Sequence, residues 1–287
     1  MEFEIISGYR KNDALRTSFN KLAEKTFGLS FEGWYRSGYW NDKYIPYSIV
    51  TDGNVIANVS VNLIDCSVGG CERHYIQLGT VMTDEAYRNQ GLSRRLMDKI
   101  FADHPDADGF FLFANDEVLN FYPKFGFKKA DEFRYRTAIS TDKPAAVSKV
   151  PMKSSEDFAE FIKIKKSHTS RSPVKPDTDD LLMFYLTQFM QECVYRINDT
   201  DVYVIAEQEG DHLTVFDILS NNAVDPAEIC KCFGSEIKNV SFGFIPDNTA
   251  GLEKYLYKEE DTTFFVLGET ISGDLEKILS FPALVHA

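Results

Sequence analysis

Residues Gln77–Phe101 decide the fold, and they read QLGTVMTDEAYRNQGLSRRLMDKIF. The stretch begins with an apolar run that predicts a strand, and it then passes through the polar loop RNQG at residues 88–91. Beyond the loop, apolar residues return at helical spacing as Leu92, Leu96, Ile100 and Phe101. This order predicts a strand, a short loop and a helix that buries one face.

The start of that helix is a predicted anion site. The first turn of a helix has backbone N–H groups that the helix itself cannot use, and the helix dipole adds partial positive charge there. Gly91 has no Cβ, so an anion could approach the backbone closely, and Arg88 adds a fixed positive charge beside the loop. The glycine spacings of nucleoside-triphosphate and dinucleotide loops are absent.

A second informative stretch follows the helix. Residues 109–114, GFFLFA, predict a buried strand, and residues 115–127 read NDEVLNFYPKFGF. This second segment predicts a further helix, with Tyr122 on it. Two polar, glycine-containing segments thus follow two neighbouring strands in order.

Both stretches resemble the GNAT superfamily of N-acetyltransferases. Residues 88–93 resemble its Arg/Gln-x-x-Gly-x-Gly/Ala loop, with Ser93 in place of the usual Gly or Ala. Residues 115–127 resemble its Asn-x-x-Ala-x-x-Phe-Tyr-x-Lys-x-Gly-Phe segment, with Val118 in place of Ala. The resemblance is specific over roughly residues 45–135. It implies an α+β fold, in which helices flank a mixed, mostly antiparallel sheet.

The resemblance also implies a cofactor site for acetyl-CoA. Backbone groups of Val81 and Met82 would pair with the amides of the pantetheine arm, and Asn115 would hydrogen-bond the same arm. The diphosphate would be bound by the loop and the first turn of the helix. These residues are Arg88, Asn89, Gln90, Gly91, Leu92 and Ser93.

The implied reaction is direct transfer of the acetyl group to a primary amine. Tyr122 matches the family tyrosine that protonates the departing thiolate. A phenol with an ordinary pKa of about 10 keeps its proton at neutral pH, so it can act as this acid. Among the residues considered, Tyr122 is the one assigned a catalytic role.

The sequence leaves the general base open. Glu32, Asp84 and Glu85 are carboxylates near the predicted site in the chain, and His74 lies on the preceding strand. Resemblance to the multidomain aminoglycoside acetyltransferases of the enhanced-intracellular-survival type adds the C-terminal carboxylate of Ala287. This chain lacks room for the third domain of those proteins.

Two domains are predicted, an acetyl-CoA-binding catalytic GNAT domain over residues 1–140 and a degenerate GNAT-like domain over residues 141–287. Residues 202–267 repeat the predicted order of strands and helices of the first half, with a short helix expected at Leu252–Tyr257. The equivalent loop contains neither arginine nor glycine, and Asp225 would repel a phosphate. The second half would then close one side of the acceptor cleft. An unrelated α+β domain is the alternative.

An aromatic segment at residues 31–40 has two interpretations. It lines the acceptor cleft, as the corresponding region does in related acetyltransferases, or it is a loop that its aromatic side chains anchor in the core. The sequence does not separate the two.

The amino-acid composition indicates which classes of binding partner to expect. The net charge of −13 disfavours nucleic acid and would suit a cationic acceptor, although acidity also simply keeps proteins dissolved. No apolar run is long enough to span a bilayer, and the acidic start MEFEI is unlike a secretory signal, so we expect a cytoplasmic protein. Five scattered cysteines argue against a disulfide framework, and no metal is expected.

The expected partner is a small-molecule or peptide amine, without nucleic acid or membrane, and a homo-oligomer stays open. Two other functions also stay open. One is a CoA-responsive regulatory or binding protein that transfers nothing, and the other is a structural protein that keeps a relic of the fold.

Overall fold

The computed structural model describes residues 3–172, 174–278 and 280–286. The helices are α1 (Asp13–Phe27), α2 (Glu32–Arg36), α3 (Leu92–Asp103), α4 (Ser155–Ser167), α5 (Asp179–Gln188), α6 (Pro226–Lys231) and α7 (Glu269–Ile278). The strands of the first half are β1 (Glu4–Ser7), β2 (Tyr44–Thr51), β3 (Asn54–Val68), β4 (Cys71–Thr83), β5 (Gly109–Ala114), β6 (Lys128–Lys129) and β7 (Glu132–Ala138). They are followed by β8 (Val147–Lys149), β9 (Lys175–Pro176), β10 (Val194–Ile197), β11 (Tyr203–Glu209), β12 (His212–Leu219), β13 (Asn239–Phe242), β14 (Glu253–Tyr257) and β15 (Thr263–Leu267).

The strands form two mixed sheets. The first has the order β1-β2-β3-β4-β5-β15-β6, with β9 added beside β3, and the second has the order β14-β7-β13-β12-β11-β10-β8. Each sheet contains a parallel pair, β4 with β5 and β12 with β13, and the other recorded pairs are antiparallel. A parallel pair needs a crossover connection, which α3 provides in the first sheet and α6 in the second. The predicted α+β fold is confirmed, and the two sheets are consistent with a tandem duplication.

The two halves exchange strands. β7 comes from the first half of the chain but lies in the second sheet, between β13 and β14. β15 comes from the end of the chain but lies in the first sheet, between β5 and β6. The predicted division at residue 140 is therefore not a division between hydrogen-bonded sheets, and as a domain boundary it stays a prediction.

The amphipathic helix predicted from residue 92 forms as α3. Its apolar face is buried against the first sheet, with Leu96, Met97 and Ile100 completely inaccessible to solvent. α1 is capped at both ends, because the Asn12 side chain accepts hydrogen bonds from two backbone N–H groups of its first turn and Gly28 ends it at a φ of 70°. The helical spacing of the apolar residues thus placed α3 correctly.

Two predicted helices do not form. Most of the helix predicted at residues 252–257 is instead the strand β14 (Glu253–Tyr257), because alternating Tyr255 and Tyr257 pack against β7, where Arg136 and Arg134 lie over their rings. Residues 115–127 contain two short 3₁₀ turns, Asp116–Val118 and Tyr122–Phe125, because Pro123 lacks the N–H that a helix interior needs.

No described helix is both long enough and apolar enough to cross a membrane. The five cysteines are free thiols, and the part of the chain that is described has no group of three or more metal-ligating side chains close together.

The exchanged strand β15 contributes a side chain to the hydrophobic core that packs on the first sheet. Phe265 of β15 is completely buried among residues of the first half, including Leu112 and Phe127. We predict that Phe265→Ala lowers the free energy of unfolding by about 4 kcal/mol, since a large buried ring leaves a cavity. Urea denaturation measures this loss.

The matched control for Phe265→Ala is Leu256→Ala on β14, whose side chain is 43% exposed. We expect the control to cost about 0.5 kcal/mol or less. Equal, small losses for both variants would show that the first core does not depend on the exchanged strand.

A buried carboxylate ties α7 to β4. Asp274 is 2% exposed, and it accepts hydrogen bonds from Arg73 Nε and Tyr75 Oη, both at 2.6 Å, and from Lys277 Nζ at 3.1 Å. Burial would raise the pKa of Asp274, but the hydrogen bonds from Arg73, Tyr75 and Lys277 outweigh it and lower the pKa to about 2. The charged form of Asp274 therefore stabilises the fold.

We predict that Asp274→Asn lowers the free energy of unfolding by about 2 kcal/mol at neutral pH. Because the folded-state pKa of Asp274 lies below the ordinary value of about 3.9, its stabilisation is complete above that value and is lost as the pH falls towards 2. The difference between wild type and variant should thus shrink below pH 4, as measured by denaturation across that range. A difference that stays constant with pH would contradict this role.

Candidate active site

The central feature of the site is a gap between the parallel strands β4 and β5. Their pairing runs from Tyr75 opposite Gly109 to Leu78 opposite Leu112, whereas both strands continue further. The two strands separate where the pairing stops. A cavity in the first half can therefore pass through the sheet at this point.

Backbone conformation explains the gap. Thr80 has a φ of 47°, which is strained for a β-branched residue, and the register between β3 and β4 shifts between Asn58 and Ser60. The side-chain amide of Asn58 donates a hydrogen bond to the Thr80 carbonyl at 2.9 Å. This bulge bends β4 away from β5, and the buried Asn58 holds it in place.

A cavity of about 870 Å³ passes through the gap. At one end it is lined by residues that adjoin α3 and the end of β5, namely Arg88, Ser93, Asn115, Glu117 and Tyr122. At the other end lies a group of apolar side chains that we call the aromatic chamber, namely Phe31, Trp34, Tyr44, Phe113, Leu181 and Phe184. A single cavity thus connects the predicted anion site with the opposite face of the sheet.

The N-terminus of α3 is open, as the sequence predicted. Gly91 begins the helix with a φ of 72°, and no described side chain caps the first turn. In the second half, the carboxylate of Asp225 caps α6 by accepting hydrogen bonds from the N–H groups of Ala227 and Glu228, at 2.8 and 3.4 Å. The donors that could bind an anion are therefore free in the first half and occupied in the second.

The structure brings most of the predicted cofactor-binding residues to this cavity. Its lining includes Val81, Met82, Arg88, Ser93 and Asn115. The remaining four lie at the adjacent loop and helix start: Asn89, Gln90 and Gly91 are exposed, and Leu92 is buried in the core. For Leu92, therefore, only the backbone could contact a ligand.

Tyr122 also lines the cavity, although it lies on a 3₁₀ turn instead of the predicted helix. Its side chain is nearly buried, and burial raises the pKa of Tyr122 to about 12. Within the described part of the chain, its hydroxyl has no hydrogen-bond partner. The phenol is thus neutral at physiological pH and can donate to a group inside the cavity.

Two of the candidate general bases form ion pairs. Glu32 pairs with Arg16 at 3.0 Å, and Asp84 pairs with Lys25 at 2.9 Å. The hydrogen bond from the cationic partner lowers the pKa of each carboxyl group, so each is a weaker base than an ordinary carboxylate. Neither residue lines the cavity.

The other candidate bases, His74 and Glu85, also lie outside the lining of the cavity. His74 contacts Asp65 at 2.6 Å, and this hydrogen bond raises the pKa of His74. Neither His74 nor the exposed Glu85 lines the cavity. Ala287 lies outside the described residues, so its carboxylate stays a prediction.

Several residues of the cavity were not predicted from the sequence. Leu181 and Phe184 come from α5 in the second half, and Asp261 comes from the turn before β15. The carboxylate of Asp261 accepts hydrogen bonds from the Asn115 side chain at 3.4 Å and from the Asp116 N–H at 3.1 Å, so it orients the end of β5. About 145 residues separate these partners in the chain, and no local pattern indicates such a contact.

The aromatic segment at residues 31–40 lines the cavity and is also anchored in the core, and its place in an acceptor cleft stays a prediction. Phe31 and Trp34 line the cavity, whereas Trp40 is buried and donates its Nε1–H to the Tyr44 carbonyl at 3.1 Å. One end of the segment therefore faces the cavity while the other anchors it.

Comparison with known proteins agrees with this architecture. A structure from Enterococcus faecalis V583, described as a conserved protein of unknown function and probable N-acyltransferase, has a TM-score of 0.60 at 12% identity, covering 96% of this chain and 75% of that chain. A GCN5-related N-acetyltransferase from Kribbella flavida has a TM-score of 0.58 at 14% identity, covering 92% and 71%. Eis1 from Mycobacterium abscessus has a TM-score of 0.55 at 14% identity, covering 92% and 72%. No curated protein sequence matches the chain.

Residues 13–127, which carry the parted strands and the open helix N-terminus, match the model of the acetyltransferase (GNAT) family. The structural neighbours, at identities below 15%, show that the fold extends over both halves of the chain.

The open N-terminus of α3 can be tested by adding a carboxylate to it. An added Cβ at Gly91 would meet no atom within 4 Å, so the effects of a substitution are backbone strain and charge, not a clash. We predict that Gly91→Asp weakens acetyl-CoA binding roughly tenfold more than Gly91→Asn, because a carboxylate occupies the helix donors and repels a diphosphate. Titration calorimetry measures both affinities.

Gly91→Asn is the matched control, since asparagine has the same shape as aspartate and tolerates left-handed backbone. Thermal unfolding should show that both variants stay folded. Equal affinities for the two variants would mean that this helix end does not bind the anionic part of the ligand.

Proposed function

We propose that the protein is an N-acetyltransferase that transfers the acetyl group of acetyl-CoA directly to a primary amine. The observation that carries this proposal is the continuous cavity, which joins an open helix N-terminus to a chamber on the other face of the sheet. A thioester carrier that lies in the gap between β4 and β5 would present its acetyl group to an acceptor in that chamber.

The residues present fit acetyl-CoA. In this proposal the N–H groups around Gly91 and the Arg88 side chain hold the diphosphate. The backbone of Val81 and Met82 is not paired to β5, so polar groups on that edge of β4 would be available to bond the amides of the pantetheine arm. Asn115, oriented by Asp261, hydrogen-bonds the same arm.

Tyr122 is the proposed general acid. Acetyl-CoA supplies an activated thioester, and the neutral amine of the acceptor attacks its carbonyl carbon as the bond to sulfur breaks. The Tyr122 phenol donates its proton to the departing sulfur, and it regains a proton from the acceptor nitrogen, which loses one as the amide forms. Burial raises the pKa of Tyr122, so the phenol still carries its proton when the thiolate departs.

The second half would contribute structure rather than a second cofactor site. Asp225 occupies the helix donors that an anion would need, and α5 supplies Leu181 and Phe184 to the chamber of the first half. The proposed domain roles follow from this asymmetry, with catalysis in the first half and closure of the acceptor side by the second.

Substitution of the proposed acid tests the mechanism. We predict that Tyr122→Phe lowers kcat by roughly a hundredfold or more, because the departing thiolate loses its proton donor. The affinity for acetyl-CoA should stay close to that of wild type, since the phenol ring and its packing are kept. Thiol release with a panel of amines gives kcat, and calorimetry gives the affinity.

Equal turnover of the variant and wild type across the pH range would defeat the assignment of Tyr122. Binding of acetyl-CoA by wild type without thiol release on any amine would instead favour a CoA-responsive binding protein. A complete lack of acetyl-CoA binding would favour a structural protein.

A further inference from the structure

The aromatic chamber has no charged side chain among its lining residues. The cavity as a whole is lined by three charged residues in the described chain, namely Arg88, Glu117 and Asp261. Arg88 precedes α3, and the two carboxylates adjoin Asn115 at the end of β5, so all three lie at the proposed cofactor end. An acceptor in the chamber would therefore find no counter-charge for a second ammonium group.

The aromatic rings of the chamber are also poorly placed to bind a cation. Cations prefer the face of a ring, whereas ring edges carry partial positive charge. Phe31 stacks on both Tyr44 and Phe184, with centroid distances of 5.7 and 5.2 Å, and Trp34 stacks on Trp40 at 5.7 Å. These ring faces are already occupied by other rings.

Phe113, at the edge of the gap, follows the same pattern. Its ring stacks on Phe264 at 5.0 Å and on His286 at 3.6 Å. The ring edges that remain favour contact with an apolar or aromatic body.

One neutral polar pair lies among these rings. The hydroxyl groups of Tyr44 and Thr80 are 2.8 Å apart, and Thr80 is the residue at which the strands part. Burial raises the pKa of Tyr44, so its phenol stays neutral. The pair can accept a hydrogen bond from an uncharged amine close to the gap.

The cavity reaches solvent at the end of α1. Phe27, at the end of α1, lines the cavity and is 41% exposed, and the neighbouring Thr26 is also exposed. An entrance of this kind suits an acceptor that arrives from solution, whereas a long acyl chain would need an enclosed pocket.

We propose that the acceptor is a primary amine on an apolar, preferably aryl-bearing body that carries no second positive charge. The inference rests on the proposed function and names its substrate class. It narrows the expectation that the acidic surface would suit a cationic acceptor, because no carboxylate lines the chamber. A second ammonium buried among these rings would lose its hydration without gaining a partner.

Three amines test the proposal with acetyl-CoA and the full-length protein. Pentylamine and cadaverine have the same chain length and differ by one ammonium group, and phenethylamine adds a ring. We expect kcat/KM, measured by thiol release, to be roughly tenfold higher for pentylamine than for cadaverine. It should be higher again, by roughly tenfold, for phenethylamine.

A specificity switch gives a second readout. Phe184→Glu places a carboxylate in the chamber, so it should lower kcat/KM for phenethylamine and raise it for cadaverine. Phe184→Leu keeps an apolar side chain and should preserve the wild-type order of the three amines, which separates charge from loss of packing. Leu256→Ala, on the exposed edge of the second sheet, should leave all three values unchanged.

The outcomes distinguish this inference from the proposed function. Thiol release that is faster with cadaverine than with phenethylamine would keep the acetyltransferase and overturn the acceptor class. So would a Phe184→Glu variant that is folded, as judged by its thermal midpoint, and has an unchanged order of preference. No thiol release with any of the three amines, or with a wider panel, would overturn both.

Discussion

The structure depends on the separation of β4 from β5 after Leu78. Thr80 adopts a left-handed backbone conformation that costs free energy, and the buried amide of Asn58 compensates by bonding its carbonyl. If the strands stayed paired, the sheet would be continuous. No cavity would then connect the N-terminus of α3 on one face of the sheet with the aromatic chamber on the other. The same bulge brings the Thr80 hydroxyl to Tyr44, so the strain that opens the gap also sets a polar group at its edge.

The exchange of β7 and β15 makes the site a product of both halves. Because β15 lies between β5 and β6, the turn before it carries Asp261 to the end of β5, where it orients Asn115. The second half also supplies Leu181 and Phe184 to the chamber. Under the proposed function the second half would be required even without a cofactor of its own, because the first half would lack a strand and one side of the chamber without it.

The contrast between the two parallel pairs shows how one supersecondary unit gains or loses an anion site. Both units are a strand, a crossover helix and a parallel strand. In α3 the first turn follows a glycine and its donors are free, whereas in α6 the Asp225 carboxylate fills them. The backbone donors at the helix start are thus free in α3 and capped in α6, and under the proposed function this difference would place the diphosphate in the first half.

Local sequence patterns were sufficient to predict much of the fold and of the candidate site. The apolar spacing of α3, the loop at residues 88–91 and the missing glycine before α6 are all carried by neighbouring residues, so the sequence by itself indicated the open start of α3, the α+β class and the resemblance to the GNAT superfamily. It misplaced residues 252–257, because a strand stabilised by distant Arg134 and Arg136 has no local signature. Only the tertiary structure decided the strand exchange, the gap at Thr80 and the uncharged chamber, since each of these depends on contacts between residues far apart in the chain, which local spacing does not encode.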